Sequence, residues 1–207
     1  MKNIFLPLLF LILASCSSHR IKQEGPLEIT EIHPNKMTAL THKHLVQLSR
    51  KHDLSPFLYT TKVQIESFVT PRSHPVLTLN TRSAKSPDKV LAVLLHEEFH
   101  WWATSNSANT DRAISDLKAK YPKIPGQDEL LDDRSNYLHL VICWLEYKAV
   151  VKFLGEERAL TVINETIKTD KIYPLIYTQV LKHQKDIETI LKKHKLIPKA
   201  LAVKSKT

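Results

Sequence analysis

Apolar residues are grouped unevenly along this chain, and the grouping changes character several times. An unbroken apolar run fills residues 4–14 behind Lys2. Polar residues dominate 17–35, where Gly25, Pro26 and Pro34 interrupt regular structure, although 27–32 has the composition of a short strand. Met37, Leu40, Leu45 and Leu48 follow a loose helical spacing that predicts a helix over 37–52, closed near Pro56. Alternation of β-branched, aromatic and polar residues over 57–68, and again over 75–80, predicts two strands joined as a hairpin across 70–74.

Beyond residue 85 the pattern becomes helical. Ser86-Pro87-Asp88 is a helix start: Ser86 caps free amides, Pro87 fits the first turn, and Asp88 favours the positive end of the dipole. This helix is predicted to run to about residue 104. Further helices are expected over 110–121, 133–154, 156–169 and 173–194. On a wheel, Ala92, Val93, His100 and Ala103 share the side of His96, while Leu91, Leu94, Leu95, Phe99, Trp101 and Trp102 cover most of the remainder. A helix apolar nearly all round belongs in the interior. Glu98 points away from His96 and is expected to be solvated or salt-bridged.

With 207 residues, 43% of them hydrophobic, the chain supports one core and one domain. Gly25, Gly126 and Gly155 are the only glycines, too few turn residues for a barrel or sandwich of many short strands. The expected class is therefore α+β, helix-rich, with a small N-terminal sheet. The formal charge of +9 raises the question of nucleic acid. The basic residues are spread along the chain, the densest cluster (Lys192, Lys193, Lys195) closes a terminal helix, and no groove-reading motif occurs. A solvated face, or attraction to anionic lipid or cell wall, accounts for the charge better, and no nucleic-acid partner is expected.

The first apolar run is too short for a bilayer core that needs about 20 residues, but it has the length of a signal-peptide core. It ends in Leu13-Ala14-Ser15-Cys16, which resembles the lipobox of bacterial lipoproteins. That resemblance implies cleavage after residue 15, acylation of Cys16, and a place in the bacterial cell envelope, with Ser17 compatible with the outer membrane. Only Cys143 remains besides Cys16, so a monomer has no internal disulfide. The expected organisation is a signal peptide over 1–15, a lipidated cysteine and flexible tether over 16–35, one domain over 36–196, and a basic tail over 197–207.

His96-Glu97-Glu98-Phe99-His100 carries the chemistry. Residues four apart share a helix face, so both imidazoles reach one ion while the adjacent glutamate flanks it. The motif resembles the H-E-x-x-H of zinc metallopeptidases. The resemblance implies Zn2+ on His96 and His100, with Glu97 as the base that takes a proton from the attacking water. A metzincin-like continuation is excluded by Ala103 and Asn106. In the gluzincin type the third ligand is a glutamate of a later helix, and Glu146, in Glu146-Tyr147-Lys148-Ala149, has the matching surroundings. Asn136, His139, Cys143 and Glu146 lie on one face of the 133–154 helix.

Glu146 is the favoured third ligand. His139 competes with it, either as the ligand itself, as a donor to the tetrahedral oxyanion, or as a core histidine. Cys143 reads as a small buried residue. Where gluzincins often carry an acid four residues after the ligand glutamate, this chain has Val150. The fold implied is zincin-like, with the 75–80 strand at the edge of the cleft, where a peptide could add as an extra strand. The function implied is hydrolysis of protein or peptide substrates by a membrane-tethered zinc metallopeptidase. The alternative is a non-catalytic lipoprotein, structural or partner-binding, that retains the scaffold.

Overall fold

The computed structural model describes residues 21–123, 132–171 and 173–202. Cys16 and the 1–15 leader lie outside them. The fold is α+β and helix-rich, as expected. A four-stranded sheet, β1 (Ile21–Glu24), β2 (Leu27–Ile32), β3 (Lys62–Glu66) and β4 (Leu77–Leu79), lies in that spatial order. The helices are α1 (Lys36–Lys51), α2 (Pro87–Ser105), α3 (Ser107–Lys120), α4 (Asp133–Leu154), α5 (Glu156–Thr169), α6 (Pro174–Lys182) and α7 (Gln184–Lys193).

The sheet begins inside the segment expected to be a tether. β1 and β2 form a tight antiparallel hairpin through Gly25 and Pro26, and Gly25 has the positive φ, 81°, that such a turn demands. β2 and β3 run parallel, with α1 as the crossover. Asn35 starts α1 by accepting from the backbone N–H of Met37 and Thr38, while Thr38 Oγ1 accepts from the Asn35 N–H, a capping box.

The hairpin expected between the 57–68 and 75–80 segments is corrected by the structure. β3 and β4 are parallel neighbours. Adjacent parallel strands need a return path, and here the chain after β3 doubles back along the outer edge of β4. Arg72 pairs antiparallel with Thr78 through N–H to O contacts of 3.0 and 2.7 Å. The alternating pattern identified both strands but not their partners, and the edge expected to be open to a peptide is taken at Thr78 by the chain itself.

Leu27, Ile29, Val63, Ile65, Leu77 and Leu79 of the sheet are buried in one core with Leu45 of α1 and Leu91, Leu94 and Leu95 of α2. Ser86 caps α2 through the Lys89 N–H, and Asp88 in its first turn holds Arg158 of α5. α2 packs on α4, which is buried on nearly every side from Asn136 to Val150. The single helix expected over 173–194 is two, α6 and α7, broken at His183 (φ −116°, ψ 26°). There the indole N–H of Trp144 on α4 bonds the Gln184 carbonyl at 3.1 Å, pinning the break to the core. Residues 199–201, expected in the basic tail, form a 3-10 turn whose Ala200 and Leu201 pack on the core.

Glu98 is also corrected. It is fully buried, and its Oε2 accepts from the backbone N–H of Tyr59 and Thr60 at 2.7 and 3.1 Å. Those amides precede β3 and have no strand beside them, so the carboxylate supplies the missing acceptor. No helix among the described residues is long and apolar enough to cross a membrane.

Candidate metal centre

α2 and α4 cross so that the apolar wall of α2 is buried and its His96 and His100 face the polar stripe of α4. All four stripe residues, Asn136, His139, Cys143 and Glu146, are 5% exposed or less. The ring centroids of His96, His100 and His139 stand 5.1 to 5.6 Å apart, and one ligating nitrogen from each lies within 4.8 Å of the others. Bonds of about 2.1 Å to a tetrahedral ion put donors roughly 3.4 Å apart, within reach of this spacing.

One nitrogen of each of two of these rings is already engaged. His139 Nδ1 donates to the Ser135 carbonyl at 2.7 Å, one turn earlier on α4, and His96 Nδ1 lies 2.9 Å from Glu146 Oε2. Each engaged Nδ1 fixes its ring and leaves the Nε2 side for a ligand, the arrangement in which a carboxylate or carbonyl orients a metal-binding histidine. Tyr177 of α6 donates its hydroxyl to the same Glu146 oxygen at 2.7 Å. Glu146 is thus committed to His96 and Tyr177.

The expected set of His96, His100 and Glu146 is accordingly not the set that converges. Among the described residues, Glu146 groups with His96 and Cys143, whereas His139 groups with His96 and His100. His139 sits seven residues before Glu146, about 10 Å along the helix axis, and the offset between α2 and α4 brings His139 level with both imidazoles. The donors suit zinc or another imidazole-binding divalent ion.

Glu97 is 5% exposed and sits beside His96. Burial pushes its carboxyl up to about 7, against the opposing pull of His96 and with a further push from Glu146. Burial lowers His100 to about 2 and His139 to about 4, helped in both by charge on His96. Burial also disfavours charge on His96, but its hydrogen bonds to Cys143 and Glu146 outweigh it and hold that imidazole above the usual range. Cys143, pushed up to about 11 chiefly by burial, remains a thiol.

Two tyrosines complete the site and were not singled out from the sequence. Tyr173 stacks on His139 at 4.6 Å and lies 5.4 Å from His96; burial raises its phenol to about 12. Tyr177 falls four residues later, one turn beyond the Tyr173 cap of α6, a spacing that was a usable signal for a shared side. On the open side the half-buried His100 adjoins Trp101, which stacks on His74 at 4.1 Å and donates its indole N–H to the Ser73 carbonyl. No family model, curated protein or solved structure matches this chain.

Proposed function

We propose that this chain is a zinc-dependent metallopeptidase tethered to the bacterial cell envelope through Cys16. One observation carries the reading: His96, His100 and His139 converge, two of them with Nδ1 engaged, and Glu97 adjoins His96. Two buried imidazoles and the half-buried His100 bring one nitrogen each within 4.8 Å of the others, and a divalent cation is the group whose chemistry such a cluster suits. His96, His100 and His139 would hold it.

When bound, such an ion supplies Lewis acidity to a scissile carbonyl and to an attacking water. The protein's part is proton handling and orientation. Glu97 accepts the proton of the attacking water and returns it to the leaving amine, a task suited to a carboxyl that titrates near neutrality. Glu146, held by Tyr177, fixes the His96 ring, and the Ser135 carbonyl fixes His139. The Tyr173 ring shields one side of the histidine cluster from water.

One observation favours the non-catalytic alternative, a metal-holding lipoprotein. The edge of β4, where an extended peptide would add, is paired at Thr78 by Arg72. The test is cleavage of an unstructured protein such as casein by zinc-loaded chain and by Glu97→Gln. Glu97→Gln is expected to keep its zinc and lose about 10²- to 10⁴-fold in rate, the usual yield of a general base. Wild-type chain that binds zinc and cleaves nothing supports the alternative, and equal cleavage by both removes Glu97 from the mechanism.

A further inference from the structure

Among the described residues, Phe68 is the exposed exception in a set of buried and partly buried aromatics. Its side chain is 101% exposed, and it sits at φ 64°, a left-handed conformation that costs a bulky residue energy. The residues on either side are fixed. Ser67 Oγ accepts from Asn35 Nδ2 at 3.0 Å and from Thr81 Oγ1 at 3.3 Å, and the Val69 carbonyl accepts from Asn80 Nδ2 at 3.0 Å. The loop therefore holds Phe68 outward at its apex by bonds on both flanks.

The sheet register places this apex. Ile21 at the start of β1 pairs with Thr30, and Ile32 at the end of β2 pairs with Glu66 at the end of β3. The chain that leads from Cys16 into Ile21 thus joins the sheet at the same pole from which Phe68 projects, two residues beyond Glu66. Among the exposed residues beside the fixed loop, those with a full charge are the basic Lys36 and Arg82, while the partly exposed Glu66 is paired with Arg72 at 3.6 Å. Lys36 follows Asn35 and Arg82 follows Thr81, both joined to Ser67, and His33 precedes them in the same turn region. α2 begins five residues after Arg82, and at about 1.5 Å per residue His96 and His100 lie about 14 and about 20 Å along it from Pro87.

We infer that this pole is a membrane-docking surface. Phe68 enters the acyl boundary of an anionic lipid surface, Lys36 and Arg82 meet its headgroups, and the histidine cluster is turned away from the bilayer toward soluble substrates. An aromatic presented by a pinned loop loses little conformational freedom on insertion, and each basic residue near an anionic surface adds attraction that salt screens. The inference rests on the N-terminal tether of the proposed function and is independent of the metal.

The experiment uses the full chain, expressed with its leader and reconstituted into vesicles of phosphatidylethanolamine and phosphatidylglycerol. Phe68→Trp places a fluorescent indole at the pole, and Ser105→Trp, at the far end of α2, is the control. The expected result for Phe68→Trp is an added emission, over the parent chain, that is blue-shifted, quenched by brominated acyl chains and spared by iodide, with the emission added by Ser105→Trp behaving oppositely. Arg82→Glu, combined with Phe68→Trp, is expected to lessen the bromolipid quenching of the pole indole, most strongly at low salt. Chain that sediments with vesicles while the pole indole is quenched by iodide overturns the docking pole and leaves the tether standing. A pole indole shielded from both quenchers overturns it in favour of a protein partner. Chain that does not sediment with vesicles removes both tether and docking.

Discussion

Glu98 shows how much one side chain can carry outside the site. Its Oε2 is the acceptor for the Tyr59 and Thr60 amides. Glu98→Ala leaves both without that acceptor in the interior, and an orphaned buried group costs about 1 to 3 kcal/mol. At about 2 to 4 °C per kcal/mol for a domain of this size, the melting temperature of the variant should fall by several degrees in calorimetry. The sign with pH also follows. Burial raises this carboxyl from 4.5 to about 7 despite the two amides, so the folded state binds its proton more tightly than the unfolded one. The resulting stability is full below pH 4.5 and is lost as pH rises through 7. Glu98→Gln keeps an acceptor without the charge, and its melting temperature should show a flatter decline across that range; an unchanged decline would assign the pH dependence elsewhere. None of this was legible locally, because residues 59 and 60 lie far from 98 in sequence.

Element boundaries were legible wherever the signal was local. α4 and α5 occupy the expected 133–154 and 156–169 because Asp132 caps the first by accepting from the Ser135 N–H and Gly155 separates the two. Gly155 has φ 82° and ψ 163°, a region close to glycine-only, and an added Cβ would meet nothing within 4 Å. The cost of Gly155→Ala is therefore backbone strain alone, about 1 to 3 kcal/mol. Thermal unfolding should show a lower melting temperature with metal content unchanged; an unaffected melting temperature would mean that the joint relaxes. Partner choice was not legible. β3 and β4 read as strands from their alternation, but whether they pair as a hairpin depends on the path of 67–76, which residue patterns do not encode. The same holds for the candidate third ligand. His139 and Glu146 share a face of α4, and only the offset of α2 against α4 decides which of them meets His96 and His100.

At the scale of the whole molecule, the candidate metal centre joins residues of α2 and α4, the two most buried helices, and Tyr177 of α6 bonds Glu146 beside it. An ion held by His96 and His100 of one helix and His139 of the other would bind the folded state and not the unfolded one. Free zinc at a hundredfold over its dissociation constant would then add about 2.7 kcal/mol, a rise of about 5 to 10 °C in melting temperature. Calorimetry with zinc and with chelator measures it, and identical melting curves would argue against a site built on these helices. The class and most helices of the fold, and the His96, Glu97, His100 motif, could be read from the chain because they are periodic or contiguous. Tyr173 and Tyr177 belong to the site through long-range packing.

The most direct test of the three-histidine centre is a competition titration of the purified full chain with Zn2+ against a chromophoric chelator, run beside His139→Ala and Glu146→Gln. One site per chain is expected, with binding lost or nearly lost in His139→Ala. Glu146→Gln, which loosens the His96 ring without removing a ligand, should weaken binding by about 10- to 100-fold. Wild-type affinity in His139→Ala together with loss of binding in Glu146→Gln would contradict the assignment and return the third position to Glu146.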